Sequence, residues 1–341
     1  MKSYVLAMET QNGGYFYPLL GKTVIQYVID AVHSAGINDI TVVCDSTGQE
    51  LLSQIYPTLQ FSYENTKTEG ALVVWGDTPL LTGPILQEFI ASNERDLTDM
   101  PEIAHGLVVF QRVQDYVALA ETTAHMRTAI NHAHMLRGVR MIDPASVYID
   151  STVIIGEEAT IYPSVILEGE CKIANKAHLG AGCHLINTEV GERAEVLQSV
   201  LKNSKVGAGT TVGPFAYLRD NAVVGNNCRI GNFVEIKKSV IGDGTKAAHH
   251  AYIGDANVGK NVNYSCGAIT ANYDGKNKHC TTIGNNAFIG SNVSLVAPIT
   301  VGEGAFVAAG STIISDLQED SLGIARAYQV EKLGWAKNKK K

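Results

Sequence analysis

One stretch of the chain places an aliphatic residue at every sixth position. The first run consists of Ile155, Ile161, Leu167, Ile173, Leu179 and Leu185. A small or β-branched residue follows four positions after each of the first five: Ala159, Val165, Cys171, Ala177 and Cys183. An α-helix would repeat its apolar face about every 3.6 residues and a single strand about every two. A sustained period of six therefore predicts a solenoid of short parallel strands.

The same spacing returns later as aliphatic residues followed by glycine. These pairs are Val224-Gly225, Ile230-Gly231, Ile241-Gly242, Ile253-Gly254, Val258-Gly259, Ile283-Gly284, Ile289-Gly290 and Val301-Gly302. Three six-residue sides close one roughly triangular coil of about 18 residues, with the aliphatic side chain inside and Gly or Asn at the corners. We expect this domain to occupy residues 150–318.

The first part of the chain alternates in another way. Tyr4–Met8, Ile40–Cys44 and Ala71–Trp75 have the composition of buried strands, whereas Thr23–Ser34 and Gln49–Ile55 place their apolar residues on one helical face. Strands that alternate with helices favour a small parallel sheet, so residues 1–104 are predicted to form an α/β domain. Residues 105–149 are expected to form a helical connector, and residues 319–341 a C-terminal arm.

Composition limits the partners and the location of the chain. The 341 residues carry a formal net charge of −7 and are 45% hydrophobic, so there is no overall basic field that would attract nucleic acid. We expect no membrane span, because no apolar stretch approaches about 20 residues. We expect no secretory leader, because the apolar run at the N-terminus is too short for one, and the six cysteines form no CxxC pair, which favours reduced thiols and a cytoplasmic protein.

Two basic residues share one position of the repeat. Arg219 and Lys237 follow Leu218 and Ile236, which are three hexads apart, so the two cations should stack about 4.8 Å apart on consecutive coils. Stacked cations repel each other unless an anion lies beside them, which favours a phosphate-binding site. The alternative is that Glu235 and Asp220 neutralise the pair as ordinary surface residues.

The histidines do not form a metal-binding pattern. His178 and His184 are one hexad apart and so lie on different sides of the coil, while the strand neighbours His249 and His250 should point in opposite directions. A zinc site of three histidines is therefore poorly supported within one chain. A single histidine, with a pKa near 6.5, suits deprotonation of an amine nucleophile.

The segment Thr270–Cys280 breaks the hexad count and is rich in turn residues. It should leave the coil as a loop that carries Lys278 outward. Loops that project from a rigid solenoid usually contact a ligand or a neighbouring subunit.

Several motifs, in order and at fixed spacing, resemble one known family. They are GPFAYLR (213–219), GNFVEIKK (231–238), KAAHHAYIGD (246–255), NVNYSCGAITANYDGKNKH (261–279), FIGSN (288–292), LVAPITVGEGAFVAAGSTI (295–313) and IARAYQVEKLGW (324–335). They are similar, without gaps from about residue 213 to 335, to the acetyltransferase half of the bifunctional bacterial UDP-N-acetylglucosamine pyrophosphorylase / glucosamine-1-phosphate N-acetyltransferase family. The resemblance implies a left-handed parallel β-helix and a homotrimer.

The resemblance also implies roles for individual residues. His249 falls on the general base, with Glu235 as the residue that would orient or polarise it. The implied sugar-phosphate and substrate contacts are Arg219, Lys237, Tyr252, Asn263 and Lys278. The implied contacts to acetyl-coenzyme A are Cys266, Asn272, Tyr273, Ser291, Ala309 and Arg326. Acetyl transfer of this kind is expected to require no metal.

Three positions depart from the family pattern. Ala248 replaces a Gly before the implied base, and Tyr217 replaces an Arg. Cys266 replaces an Ala at the thioester end, where its larger side chain is expected to narrow the acetyl pocket.

The first half resembles the nucleotidyltransferase domain of the same family, with parts missing. The segments at 24–32 and 76–81 match, and Asp77 corresponds to a metal-binding carboxylate. The first strand should lead into a Gly-rich loop with basic residues that bind phosphates, but residues 9–19 contain no cation and begin with Glu9. The uridine-recognising stretch, the sugar-binding middle and a metal-binding Asn are absent. The domain is therefore predicted to be a reduced Rossmann-like domain without nucleotidyl transfer.

Together these features predict an N-acetyltransferase that uses acetyl-coenzyme A and glucosamine-1-phosphate. The alternative from another class is a non-catalytic scaffold or regulatory homologue that binds a sugar phosphate. The charged residues implied for the solenoid site are all present, whereas the phosphate-binding cations of the first domain are lost, and this difference favours an active solenoid.

Overall fold

The chain changes from helix-and-strand alternation to repeated short strands, and the computed structural model divides it accordingly. One unit comprises Met1–Leu136 with Val147–Val153, and the other Arg137–Ser146 with Ile154–Lys341. The structure describes residues 1–7, 14–64, 70–98, 100, 103–104, 107–109 and 111–337. The last residue of the predicted strand Tyr4–Met8 and the predicted cation-free stretch from Glu9 to Gly13 lie outside these residues.

The first unit contains a four-stranded parallel sheet. Its strands are β1 (Lys2–Leu6), β2 (Asp39–Val43), β3 (Gln60–Ser62) and β4 (Leu72–Trp75), in the order β3-β2-β1-β4. The helices are α1 (Val24–Ser34), α2 (Ser46–Ile55), α3 (Gly83–Ala91) and α4 (Tyr116–Leu136). Short strand pairs join Pro18–Leu19 to Lys22–Thr23 and Ile103–Ala104 to Leu107–Val108, and Gly14–Phe16 forms a single 3₁₀ turn. The predicted small parallel α/β sheet is confirmed.

Local sequence signals begin the helices of this unit. The backbone N–H of Thr23 donates to Gln26 Oε1 at 2.6 Å at the start of α1, and the Gly48 N–H donates to the Asp45 carboxylate at 2.8 Å at the start of α2. Such contacts satisfy backbone donors that have no partner within the helix. The apolar face predicted for α1 is fully buried, at 0% exposure for Val24, Ile25, Val28, Ile29 and Val32.

The second unit is the predicted solenoid. One of its sheets consists of nine parallel strands: Ile154–Ile155, Lys172–Ile173, Glu189–Val190, Lys205–Val206, Val223–Val224, Val240–Ile241, Ala256–Val258, Thr281–Ile283 and Ile299–Val301. Almost every aliphatic residue of the sixfold pattern lies inside; Leu167 and Leu179, for example, are 0% exposed. The cysteines at the small-residue positions, Cys171 and Cys183, are also fully buried, which agrees with a packing role.

The two other faces of the coil form one bent sheet. Its strands in this unit are Arg140–Met141, Thr160–Ile161, Ile166–Glu168, His178–Leu179, His184–Ile186, Glu195–Val196, Val200–Lys202, Thr211–Val212, Tyr217–Arg219, β5 (Arg229–Lys237), β6 (Lys246–Gly254), Asn263–Tyr264, Ile269–Ala271, Phe288–Ile289, Ser294–Val296, Phe306–Val307, Thr312–Ile313 and Leu322–Gly323. A 3₁₀ turn occupies Pro144–Ser146. β5 and β6 run through a corner, so they connect both faces in single strands.

Coil length varies slightly, and the variation is confined to corners and to one loop. Ile155 pairs with Ile173, a full three hexads further along, whereas Ile241 pairs with Val258 across a slightly shorter coil. The next coil is much longer, because a loop projects from it before Ile283 pairs with Val258; the loop begins after the strand Ile269–Ala271, so Thr270, which was expected in the loop, stays in the coil. The strands on either side keep their register, so an insertion at a corner does not disturb the stack.

Candidate active site of the solenoid

The predicted cation column is present. Arg219 and Lys237 are register partners on adjacent coils, and each follows a residue that is 0% exposed, so both side chains leave the same face. Lys237 is only 7% exposed, which makes it a buried cation rather than an outward-pointing one. A buried ammonium requires partners close by.

Arg219 finds those partners in two carboxylates. Its Nε and Nη2 atoms donate to Glu235 Oε1 at 2.9 and 2.7 Å, and its Nη1 donates to Asp220 Oδ2 at 2.8 Å. Burial opposes the charged guanidinium, but the Glu235 hydrogen bond and the charges of Glu235 and Asp220 outweigh it and raise the pKa of Arg219. The neutralisation considered as an alternative therefore takes place at Arg219.

Lys237 has a different partner, which the sequence argument missed. Its Nζ lies 3.2 Å from Asp255 Oδ2, and the Asn272 side-chain amide donates to the same oxygen at 2.5 Å. Lys238 reaches the other oxygen of Asp255 at 3.9 Å. Asp255 follows Gly254, the register partner of Lys237, so it stands one residue beyond the position to which the column leads.

The projecting loop brings a third cation to the column. Contact with the neighbouring Lys237 ammonium lowers the pKa of Lys278, so the two side chains lie close together. The substrate cations implied by the resemblance, Arg219, Lys237 and Lys278, thus meet within one chain. Such a group of cations is suited to a phosphate.

Hydrogen bonds within the loop hold Lys278 in place. Asp274 accepts the backbone N–H groups of Asn277 at 2.6 Å and Lys276 at 2.8 Å, and His279 Nε2 lies 2.7 Å from its other oxygen. These contacts, led by the Asn277 N–H, lower the pKa of Asp274 to about 2. Tyr273 turns into the same loop and donates to the Gly275 carbonyl at 2.7 Å, so the structure places it with the loop and not with Cys266, Ser291 and Ala309.

Tyr252 closes one end of the cation column. It lies on β6 as the register partner of Glu235, and Gly254 follows as the partner of Lys237. A Cβ atom at Gly254 would collide with the Tyr252 hydroxyl, so this glycine leaves the room in which the phenol lies. Asn263 is on the other face of its coil, where its amide donates to Ser265 Oγ at 2.9 Å, and it does not join the column.

His249 is exposed on β6, and its partner differs from the one expected. Its Nδ1 lies 3.2 Å from Asn232 Oδ1, and these two residues are register partners on adjacent coils. Glu235 is three residues further along β5, opposite Tyr252, and its carboxylate is held by Arg219. The expected contact between Glu235 and His249 is therefore replaced by one from Asn232. His250 stands at the corner with φ 33° and is also exposed, so the strand alternation expected for the two histidines stops there.

A line of implied acetyl-coenzyme A contacts continues from His249. Each residue precedes a corner residue with positive φ, and the register of the following strands places them on successive coils. Backbone hydrogen bonds at the corners maintain this order, from Gly267 to the His250 carbonyl and from Asn292 to the Cys266 carbonyl. The residues of this line are His249, Cys266, Ser291 and Ala309.

Arg326 lies near the far end of the line. A Cβ atom at Gly310, which follows Ala309, would be 4.0 Å from Arg326 Cδ. Asn272 is not on the line, because it binds Asp255 beside the cation column. The structure thus separates the implied cofactor contacts into two groups: Cys266, Ser291 and Ala309 lie on the line that begins at His249, with Arg326 near its end, and Asn272 and Tyr273 lie on the loop that joins the substrate cations.

In the first unit, the carboxylate that resembles a metal ligand is already paired. Asp77 is 0% exposed, and Arg112 binds it through Nε–Oδ1 and Nη2–Oδ2 contacts of 2.9 Å each. The guanidinium also lies 3.9 Å from the centre of the Trp75 ring. Burial raises the pKa of Asp77, against the opposing effect of Arg112. Over the residues that the structure describes, no three His, Cys, Asp or Glu side chains form a group that could hold a metal ion.

The comparisons with known proteins agree with the periodicity. The family model described as bacterial transferase hexapeptide (six repeats) matches residues 203–238 and 280–315. The chain is 50% identical over 225 residues to the bifunctional protein GlmU of Exiguobacterium sp., which covers 66% of this chain and 50% of that protein. The chain thus spans about half the length of the first curated relatives it matches.

A second comparison covers both units. The chain is 33% identical to the bifunctional protein GlmU of Geobacillus sp. over 430 aligned positions, which cover 95% of this chain and 94% of the relative. Because 430 positions exceed the 341 residues of the chain, the relative contains segments with no counterpart here. An Arabidopsis UDP-N-acetylglucosamine acyltransferase structure is similar over 52% of this chain and 70% of its own, at 18% identity and a TM-score of 0.39, too remote to add to the assignment.

No helix in the described part of the chain has both the length and the hydropathy needed to cross a membrane. The solenoid is a left-handed parallel β-helix of hexapeptide repeats, preceded by an α/β domain with a parallel sheet. Both units align with one relative over nearly its whole length, and the chain therefore belongs to the bifunctional GlmU family.

Proposed function

We propose that the protein is an N-acetyltransferase that moves acetyl from acetyl-coenzyme A to the amine of glucosamine-1-phosphate. The observation that carries this proposal is the position of His249 on β6. Tyr252, at the end of the cation column, lies three residues further along the same strand, just past the corner at His250. In the perpendicular direction, His249 begins the line that leads to Ser291 and Ala309.

This arrangement gives each part of the two substrates a suitable environment. Arg219, Lys237 and Lys278 offer charge to the sugar phosphate, while the small side chains of Ser291 and Ala309 leave space for a narrow acyl carrier chain along the solenoid axis. Arg326, close to Ala309, suits a phosphate of coenzyme A. His249 is then the basic side chain nearest to the point where amine and thioester would meet.

The reaction follows from these positions. His249 removes a proton from the sugar ammonium, and the free amine attacks the thioester carbonyl carbon. Backbone N–H groups near the thioester stabilise the tetrahedral oxyanion. The carbon–sulfur bond then breaks, the attacking nitrogen gives up its second proton, the departing thiolate of coenzyme A takes up one proton to leave as the thiol, and the acetamide remains on the sugar. Asn232, through the His249 Nδ1 contact, is the residue that orients the imidazole.

An assay of thiol release tests the proposal. Acetyl-coenzyme A would be offered with glucosamine-1-phosphate, other amino-sugar phosphates and unphosphorylated glucosamine. We expect turnover with glucosamine-1-phosphate and a much higher KM for glucosamine. Sugar-phosphate binding without thiol release would instead support a non-catalytic binder.

We propose further that the first domain does not transfer uridylyl groups. Phosphoryl-type transfer depends on several cations and on precise positioning. Asp77 is occupied by Arg112, and residues 9–19 contain no cation. Pyrophosphate release from UTP, Mg²⁺ and N-acetylglucosamine-1-phosphate would contradict this part of the proposal, and it can be measured in parallel with the acetyl-transfer assay.

A homotrimer is the assembly that we propose for the active protein. The C-terminal arm exposes apolar side chains to an unusual degree, at 98% for Tyr328, 79% for Val330 and 88% for Leu333. Apolar surface of this kind is typically covered by a partner, and a second copy of the solenoid offers one. Light scattering should give three times the monomer mass, and Tyr328→Ser with Leu333→Ser should reduce it.

The proposed location is the cytoplasm, where acetyl-coenzyme A and sugar phosphates are made. All six cysteines are free in the described structure, which supports a reducing compartment.

A further inference from the structure

The cation column continues for one more coil towards the N-terminus. Val200 and Leu201 pair in register with Tyr217 and Leu218, so the next residue, Lys202, lies beside Arg219. Leu201 is 0% exposed, and Lys202, which follows it, is exposed on the same face as Arg219 and Lys237. The column thus contains three cations, about 4.8 Å apart, on consecutive coils.

The two ends of this column differ. At the C-terminal end, Gly254 is covered by the Tyr252 hydroxyl, which closes the column. At the N-terminal end, the register partner of Lys202 on the preceding coil is the uncharged residue Ile186. The column therefore ends at Tyr252 on one side and gains a further cation only on the Lys202 side, so an anion bound at Arg219 and Lys237 would reach another positive charge in that direction.

Charge gives a second reason to include Lys202. Four cations lie around the closed end: Arg219, Lys237, Lys238 and Lys278. They are accompanied by three carboxylates: Asp220, Glu235 and Asp255. The balance is a single positive charge, whereas a phosphate monoester carries up to two negative charges at neutral pH. Lys202, which has no ion-pair partner among the residues that the structure describes, raises the balance to the charge of the ligand.

We propose that Lys202 is a further substrate-binding residue, the third in-register cation of the sugar-phosphate site. This inference rests on the proposed function. It fixes the orientation of the acceptor: the phosphate lies along the column towards Lys202, and the sugar extends past Tyr252 towards His249. Acceptors with a second phosphate on the anomeric side would be accommodated at the N-terminal end by the same residue.

Steady-state kinetics with a matched control tests the assignment. Lys202→Ala should raise the KM for glucosamine-1-phosphate roughly three- to tenfold and leave kcat and the KM for acetyl-coenzyme A unchanged. Lys202→Glu should raise it further, to roughly ten- to thirtyfold, and Lys202→Arg should stay within about twofold of the wild type. The control is Lys205→Ala, because Lys205 lies on the separate nine-stranded sheet and pairs with Glu189 at 3.0 Å.

Calorimetry with glucosamine-1-phosphate separates the two ways in which this inference can fail. If the wild type neither binds nor acetylates the sugar phosphate, the proposed function is wrong and the assignment of Lys202 is wrong with it. If the wild type binds it and Lys202→Ala and Lys202→Glu bind equally well, only the assignment of Lys202 is overturned. Equal loss of affinity in Lys205→Ala would also overturn it, since the effect would then be one of general surface charge.

Discussion

Two nearly buried ion pairs, one in each unit, illustrate the difference between an anchor and a binding site. Asp77 and Arg112 satisfy each other through two parallel contacts, and Trp75 covers the guanidinium. Lys237 and Asp255 are also little exposed, but each has further charged or polar neighbours, including Lys278 and Asn272. A closed pair leaves no charge for a ligand, whereas a network with excess cations does.

The largest expected effect is on the rate of acetyl transfer, which we assign to the solenoid and not to the first unit. His249→Ala should lower kcat for acetyl transfer roughly 10²–10⁴-fold, because the amine would have no base, and should leave the fold unchanged. The matched control is His250→Ala, since His250 is the exposed neighbour at the corner. Stopped or continuous thiol-release assays measure both variants. Near-wild-type kcat in the His249 variant would remove this residue from the mechanism.

A substitution in the first unit tests whether the ion pair between Asp77 and Arg112 stabilises the fold. Arg112→Ala leaves the Asp77 carboxylate, which is 0% exposed, without its cation and should lower the free energy of unfolding of the first unit by about 3–5 kcal/mol. Lys22→Ala, which breaks the half-exposed pair with Asp30, should cost at most about 1 kcal/mol. Denaturant titration compares the two. An equal small loss in both would mean that the Asp77 pair is no anchor.

A third expectation concerns the open network. Arg219→Ala and Lys237→Ala should each raise the KM for glucosamine-1-phosphate roughly 10- to 100-fold and leave the KM for acetyl-coenzyme A within about twofold. Lys260→Ala serves as the control, because Lys260 forms an exposed pair with Asp243 at 3.2 Å away from the column. Equal effects on both substrates, measured by initial rates, would argue against a phosphate site.

The smallest effect lies in the loop. The pKa of Asp274 is lowered to about 2, below the ordinary value near 3.9, so its contribution to loop order is present above about pH 4 and is lost as the pH falls through about 2. The protection factors of the Lys276 and Asn277 amides against hydrogen exchange should fall between pH 5 and pH 2. At neutral pH, Asp274→Asn should raise the KM for the sugar phosphate less than about threefold. Unchanged exchange in acid would show that other contacts order the loop.

Features that follow from residue spacing along the coils could be predicted from the sequence, whereas contacts that depend on side-chain conformation could not. The sixfold period placed Arg219 beside Lys237 and located the loop that carries Lys278, because the register of a solenoid follows from coil length. It did not identify Asp255 as the partner of Lys237, since coil length is not constant and the corner decides which residue follows.

The contact expected for His249 shows the same limit. Glu235 and Asn232 both lie one coil away, three residues apart on β5, and only register and side-chain direction distinguish them. Glu235 was expected at His249 by resemblance, but its carboxylate turns to Arg219. In the first unit, the α/β pattern predicted the strands and α1, but the bidentate contact of Arg112 with Asp77 joins residues 35 positions apart and leaves no periodic signal.

The loop that adds residues between Val258 and Ile283 without shifting the stack has a consequence for how such a protein changes over evolution. Distances along the solenoid axis are whole multiples of the spacing between coils, which is about 4.8 Å. Lengthening a corner changes the loop that projects from the solenoid but leaves the spacing between coils unchanged. Removing a coil between Lys202 and Ala309 would instead shorten the distance between these residues by one coil spacing, and the two substrates would no longer meet.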